Sequence, residues 1–209
     1  MEDKKLTPQE SMALITKMIE DSKQRIATPD TRVSVMWATL SIVTAVIVGI
    51  LCLITHDPRY NYIWLAIPII GYPLNFSMGR KKAKRHEKTY VEYVNDGIWS
   101  IVGYITIALT AICLIYDAIG YPQIWIAMFY FAFIVVGFAA AMTGVILKEK
   151  SYVFGGIFSI VAGLITAVSP LCGTPLFVSW TIPLYIFCFF MMFIVPAVII
   201  RHKLKKITK

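Results

Sequence analysis

The 49 residues from Tyr152 to Ile200 include no Asp, Glu, Lys or Arg. An ordinary soluble domain, about a quarter charged, does not carry such a gap. The scarcity extends to the whole chain, which is 15% charged and 58% hydrophobic. None of its 12 acidic residues falls inside the long apolar runs, although Asp57, Asp96 and Asp117 stand at their edges. Ionisable groups within a bilayer usually mark proton relays or ion pathways, so their lack argues against an ion-coupled pump. His56, His86 and His202 lie in separate loops and cannot converge on one metal. There is no phosphate loop, nucleophile elbow or paired-histidine zinc motif. The chain therefore reads as non-enzymatic, with no cofactor and no metal. Cysteine is sparse too. Cys52, Cys113, Cys172 and Cys188 form no close pair, and buried apolar thiols are the simpler reading. A disulfide among the first three stays open.

What the chain does have is six apolar runs, at residues 33–55, 60–79, 97–116, 121–147, 152–169 and 176–200. A helix needs about 20 such residues to cross the hydrocarbon. Of the 20 Lys and Arg residues, 19 fall in segments that six crossings place on one side: residues 1–32, 80–96, 148–151 and 201–209. Arg59 alone lies opposite. Basic residues are retained on the cytoplasmic side, so both termini are expected there. No cleavable signal is apparent, and residues 33–55 are expected to remain as the first span. The net charge of +8 sits beside span ends, which points to anionic headgroups rather than nucleic acid. Arg80, Lys81, Lys82, Lys84 and Arg85 are the densest such cluster.

Residues 1–32 read as a cytoplasmic amphipathic helix and linker. Thr7, Pro8 and Glu10 match an N-cap, a first-turn proline and a capping-box glutamate. Met12, Ile15, Ile19 and Ile26 then form one apolar stripe, and the helix is expected to end near Ala27, before Pro29. The stripe can cover the membrane surface or the protein's own loops, or it can pair with a partner helix.

An internal echo recurs every 59 residues: Ser41-Ile42-Val43, Ser100-Ile101-Val102 and Ser159-Ile160-Val161. Trp64, Trp125 and, more loosely, Trp180 recur in the spans that follow. The expected architecture is therefore all-α and integral to the membrane: six spans as three pseudo-repeated hairpins, with the N-terminal helix appended and residues 201–209 a basic tail.

Small residues every fourth position let helices approach closely in lipid. Ser41, Ala45 and Gly49 form one ridge; Gly155, Ser159, Gly163 and Ala167 form a longer one. They read as seams within the chain or as a homo-oligomer contact. Pro68, Gly71, Pro73 and Asn75 make the most irregular intramembrane stretch, a candidate for lining a small cavity. Prolines there, and Pro183 and Pro196 in the last span, should bend both helices. All five tryptophans read as interfacial belts.

Glu10-Ser11-x3-Ile15-x2-Met18-Ile19, Gly155-Gly156-Ile157 and Ile194-Val195-Pro196-x-x-Ile199-Ile200-Arg201 together resemble a group of uncharacterised small bacterial membrane proteins. That resemblance implies six spans, a cytoplasmic helix and genes near winged-helix regulators, and nothing catalytic. Many of the group carry Gly where this chain has Ala197. The short hairpins are also distantly similar to acid-resistance membrane proteins of the HdeD type. Two functions are compatible with these residues. One is an interaction, regulatory or envelope-stress component; the other is a passive channel or facilitator for a small solute.

Overall fold

The computed structural model describes residues 7–27, 31–83, 89–173 and 178–207, and every described element is helical. An isolated span must satisfy its own backbone in lipid, and helices do so. Helix α1 covers Pro8–Ala27 and α2 covers Arg32–Thr55. A 3₁₀ helix, Pro58–Leu65, leads into α3, Ala66–Ala83. Helix α4 is Tyr90–Ala118. A second 3₁₀ turn, Pro122–Trp125, opens a continuous rod made of α5 (Ile126–Tyr130), a π turn (Phe131–Val135) and α6 (Val136–Ile146). Then come α7 (Lys150–Val168) and a last rod of α8 (Val178–Phe189), a π turn (Phe190–Ile194) and α9 (Val195–Ile207).

Five of these helical stretches are long and apolar enough to cross a membrane: Arg32–Thr55, Tyr90–Ala118, Pro122–Ile146, Lys150–Cys172 and Ser179–Lys206. The stretch from Pro58 to Ala83 is built differently. Asn61, Pro68, Gly71, Pro73 and Asn75 dilute its apolar character, and its first eight residues are 3₁₀. It nevertheless runs antiparallel to α2: Tyr72 meets Trp37 edge-on at 5.6 Å, while Asn61 and Trp64 lie with Cys52 and Val48 at the far end. Two helices run past the expected ends of their spans. Helix α4 starts at Tyr90, not Gly97, and α9 continues through the basic residues to Ile207.

Local chemistry sets the helix starts. Thr7 accepts from the Glu10 amide at 3.3 Å, and the Glu10 carboxylate accepts from the Thr7 amide at 2.8 Å and hydroxyl at 2.9 Å. These bonds hold the Glu10 carboxyl below its usual value of 4.5, the Thr7 amide contributing most. A depressed folded pKa means that the cap is complete above that value and is lost as pH falls through the lower folded one. The protection factors of amides in the first turn of α1, corrected for intrinsic exchange, should therefore fall in acid, and Glu10→Gln should remove that pH dependence. Thr89 and Glu92 build a second capping box at the start of α4.

The most extensive packing joins α6 to α7, and α2 to α8. In lipid no hydrophobic drive holds helices together, so close fit and interhelical hydrogen bonds must. Gly144 of α6 lies so near α7 that a Cβ would stand 2.5 Å from the Val153 nitrogen. The turn between them closes with Lys148 in the left-handed region at φ 54°, and the Glu149 amide donates to the Gly144 carbonyl at 2.8 Å. At the basic end, the Trp99 indole donates to the Thr143 hydroxyl at 3.1 Å, which donates to Asn95 at 2.8 Å. Thr143→Val breaks both bonds and should cost about 1–2 kcal/mol, read as a lower unfolding midpoint in mild detergent. Lys203 of α9 pairs with Glu149 at 2.7 Å at the same end.

Candidate functional site

The two small-residue ridges are buried within the chain. Ser41, Ala45 and Gly49 face inward from α2, where a Cβ on Gly49 would touch Ile182 at 3.0 Å. On α7, Gly155 lies against the backbone of Met191 and Met192, and Gly156 lies against Gly137 and Ala141. Gly163 faces Phe133 and Ile134. The fourth buried position of this ridge is Thr166; Ala167 is only half-buried. The Ser159 hydroxyl donates to the Phe133 carbonyl at 3.0 Å. That carbonyl belongs to the π turn, in which the Val136 amide reaches back to Phe131.

Gly71 is buried beneath the Trp37 ring, Pro68 and Asn75 are half-buried, and Pro73 is exposed inside α3. None of these four lines the large cavity described below. Met12 and Ile15 are exposed, and α1 makes no substantial packing with the other described helices. For Ile19 and Ile26 only the helical backbone is described, as for Arg80, Lys81 and Lys82 at the end of α3; Lys84 and Arg85 lie outside the described residues.

Three of the tryptophans make contacts between helices. Trp125 is 6% exposed, Trp99 bonds Thr143, and Trp64 packs edge-on to Phe129 at 5.6 Å and Tyr185 at 5.3 Å. Their rings fill gaps between helices, because a polar partner or another ring is available there. Aromatic contacts continue down the bundle. Tyr185 stacks on Phe189 at 4.4 Å, Phe189 meets Phe193 at 5.8 Å, and Phe193 meets Trp99 at 5.8 Å. This column crosses the centre from the Trp64 end to the basic end. Phe133, Cys188 and Met192 beside it are completely buried.

Above the column, at the end away from the basic residues, lies a cavity of about 430 Å³. Val48 and Cys52 of α2 form one side, and Thr166 of α7 with Thr181 and Ile182 of α8 another. The two 3₁₀ segments contribute Asn61 and Trp64, then Pro122, Gln123 and Trp125. Ile126, Phe129 and Tyr130 complete the wall, and Phe133 belongs to the π turn. Among the described residues, no lining side chain is charged. Near this end Tyr62 donates a hydrogen bond to Asp117, and the Cys113 thiol reaches the Ile124 carbonyl at 3.7 Å. All four cysteines are free thiols, so none of the disulfides left open above is formed. Among the described residues no three His, Cys, Asp or Glu side chains gather as a metal site.

The echo between Trp64 and Trp125 gave the one sequence signal for this cavity, because both line it. Its remaining residues are scattered along the chain and carry no motif. Helical composition and five membrane-length helices define the class: an all-α, multi-pass membrane protein. No family model matches the chain, and no curated protein or solved structure is similar to it.

Proposed function

We propose that this is a non-enzymatic component of a bacterial inner membrane that works by binding another protein, as a regulatory or envelope-stress element. The observation that carries the reading is a closed centre combined with an open helix. Tyr185, Phe189, Met192 and Phe193, each no more than 5% exposed, fill the bundle. These buried side chains occupy the centre of the bundle, which supports interaction over the channel reading. Outside the bundle, α1 exposes Met12 at 71% and Ile15 at 55%. In the sequence this segment carries Glu10, Glu20 and Asp21 against Lys17, Lys23 and Arg25, a charge balance that suits a protein groove better than an anionic surface.

Six crossings with both termini cytoplasmic fit this reading. Support comes from the 19 basic residues in segments that six crossings would put on one side, and from the antiparallel run of Pro58–Ala83 along α2. Three hairpins are the matching architecture, since Trp64 and Trp125 occupy comparable places in successive units. The anionic headgroups of the inner leaflet would then meet residues 80–88.

Deleting residues 1–27 should leave the bundle inserted and monodisperse while abolishing co-purification of a partner in mild detergent. Unchanged partners after the deletion would remove the proposal. A reporter fused after Lys209 should be cytoplasmic, and an external location would overturn the six-span layout.

A further inference from the structure

We propose that the cavity between the two 3₁₀ segments binds an uncharged amphiphile: an apolar, ring-sized body carrying one hydrogen-bond donor. The inference goes beyond the partner-binding reading and does not depend on it. Size is the first argument. About 430 Å³ falls within the range of small-molecule pockets, well above the space one water needs. Chemistry is the second. With no Asp, Glu, Lys, Arg or His among the described lining residues, none of them compensates a ligand charge, and burying one uncompensated is prohibitive.

The walls specify the body of the ligand. Trp64, Trp125, Phe129 and Phe133 surround the space, and aromatic rings favour edge and offset contacts with another ring. The polar groups specify the head. Thr166 lines the cavity with 1% of its surface exposed, and its hydroxyl donates to the Gly163 carbonyl at 2.9 Å, so its oxygen keeps acceptor capacity. A ligand hydroxyl or amide N–H complements that oxygen; a bare ether or hydrocarbon does not. The mouth is marked by the exposed Pro122, Gln123 and Ile126, so a molecule can enter from the interface where an amphiphile concentrates.

Backbone geometry supplies an independent argument. The wall residue Phe133 sits in a π turn, a local widening that recurs at functional sites and here coincides with the cavity. Both 3₁₀ segments also begin with proline immediately after a turn, Pro58 and Pro122, and each delivers a tryptophan to the same space. Regular helices here would turn those rings to other directions.

The test uses the intact chain in mild detergent and two of its own thiols. Cys52 lines the cavity, whereas Cys172 is exposed and lies outside it. Maleimide modification of each is followed by peptide mass spectrometry, with β-naphthol as probe and β-naphthoate as charged control. β-Naphthol should slow modification of Cys52 about fivefold at roughly four times its Kd, saturably, and leave Cys172 unchanged. Equal slowing at both thiols, no slowing at Cys52, or equal protection by β-naphthoate would overturn the proposal. Should Cys52 resist maleimide altogether, equilibrium dialysis decides. One saturable β-naphthol site per chain, weakened about two- to tenfold by Thr166→Val, supports it. Uptake proportional to detergent alone refutes it.

Discussion

Gly156→Leu should destroy the assembly of this bundle, with a loss above about 3 kcal/mol and no monodisperse species in mild detergent. At this position even a methyl group would stand 2.5 Å from both the Ala141 nitrogen and the Gly137 carbonyl oxygen. Both obstacles are backbone, so relief requires α6 and α7 to move apart. Overpacking a tight core ordinarily costs about 1–3 kcal/mol, and a displaced helix pair also loses its neighbours' contacts. Leu164→Phe on the same helix should be nearly neutral, because Leu164 is 53% exposed, on the side that meets lipid. Gly163→Leu should fall between them: its obstacles are the Phe133 Cβ and an Ile134 side-chain atom, both at 2.7 Å. Size-exclusion profiles and unfolding midpoints of the three variants check the order, and an undisturbed Gly156→Leu protein would refute the packing account.

Tyr185→Ala should cost about 3 kcal/mol, the low end for a buried aromatic in water. Lipid is as apolar as the core, so the transfer contribution shrinks while the void and the lost dispersion remain. Tyr185 touches Trp64, Phe129, Phe133 and Phe189 and hydrogen-bonds Ser41, so one truncation opens the column at its widest junction. Tyr185→Phe keeps the rings and loses only that bond, with an expected cost of about 0.6–1.7 kcal/mol. Equal destabilisation by the two substitutions would mean that the hydroxyl, not the ring, holds the junction.

How much of this was legible beforehand depended on the reach of each cause. Five membrane-length helices follow from unbroken apolar composition, which is a local property. The start and end of α1 were equally plain, because Thr7, Pro8 and Glu10 act within one turn. Thr89 and Glu92 carry the same signature, but the basic run that precedes them masks it. The π turns have no local mark: Phe131-Ala132-Phe133-Ile134-Val135 reads as ordinary helix, and only the fit against α7 distinguishes it. For the same reason the cavity was invisible. Val48, Phe133 and Thr166 are brought together only by the packing of α2, α7 and the rod between them. Trp64 and Trp125 are legible as echoes, yet their packing between helices depends on partners that sequence spacing does not reveal.

A regular helix advances about 100° per residue, so one residue added or removed normally swings everything beyond it onto another side. The wide turn at Phe131–Val135 absorbs one such residue, keeping Phe129 toward the cavity and Gly137 toward α7. Shortening the chain by one residue there should leave both orientations intact and forfeit only the carbonyl offered to Ser159. The same deletion at Phe138 should twist the two halves out of phase, which makes this short segment the place where evolution could adjust length without reshuffling the bundle.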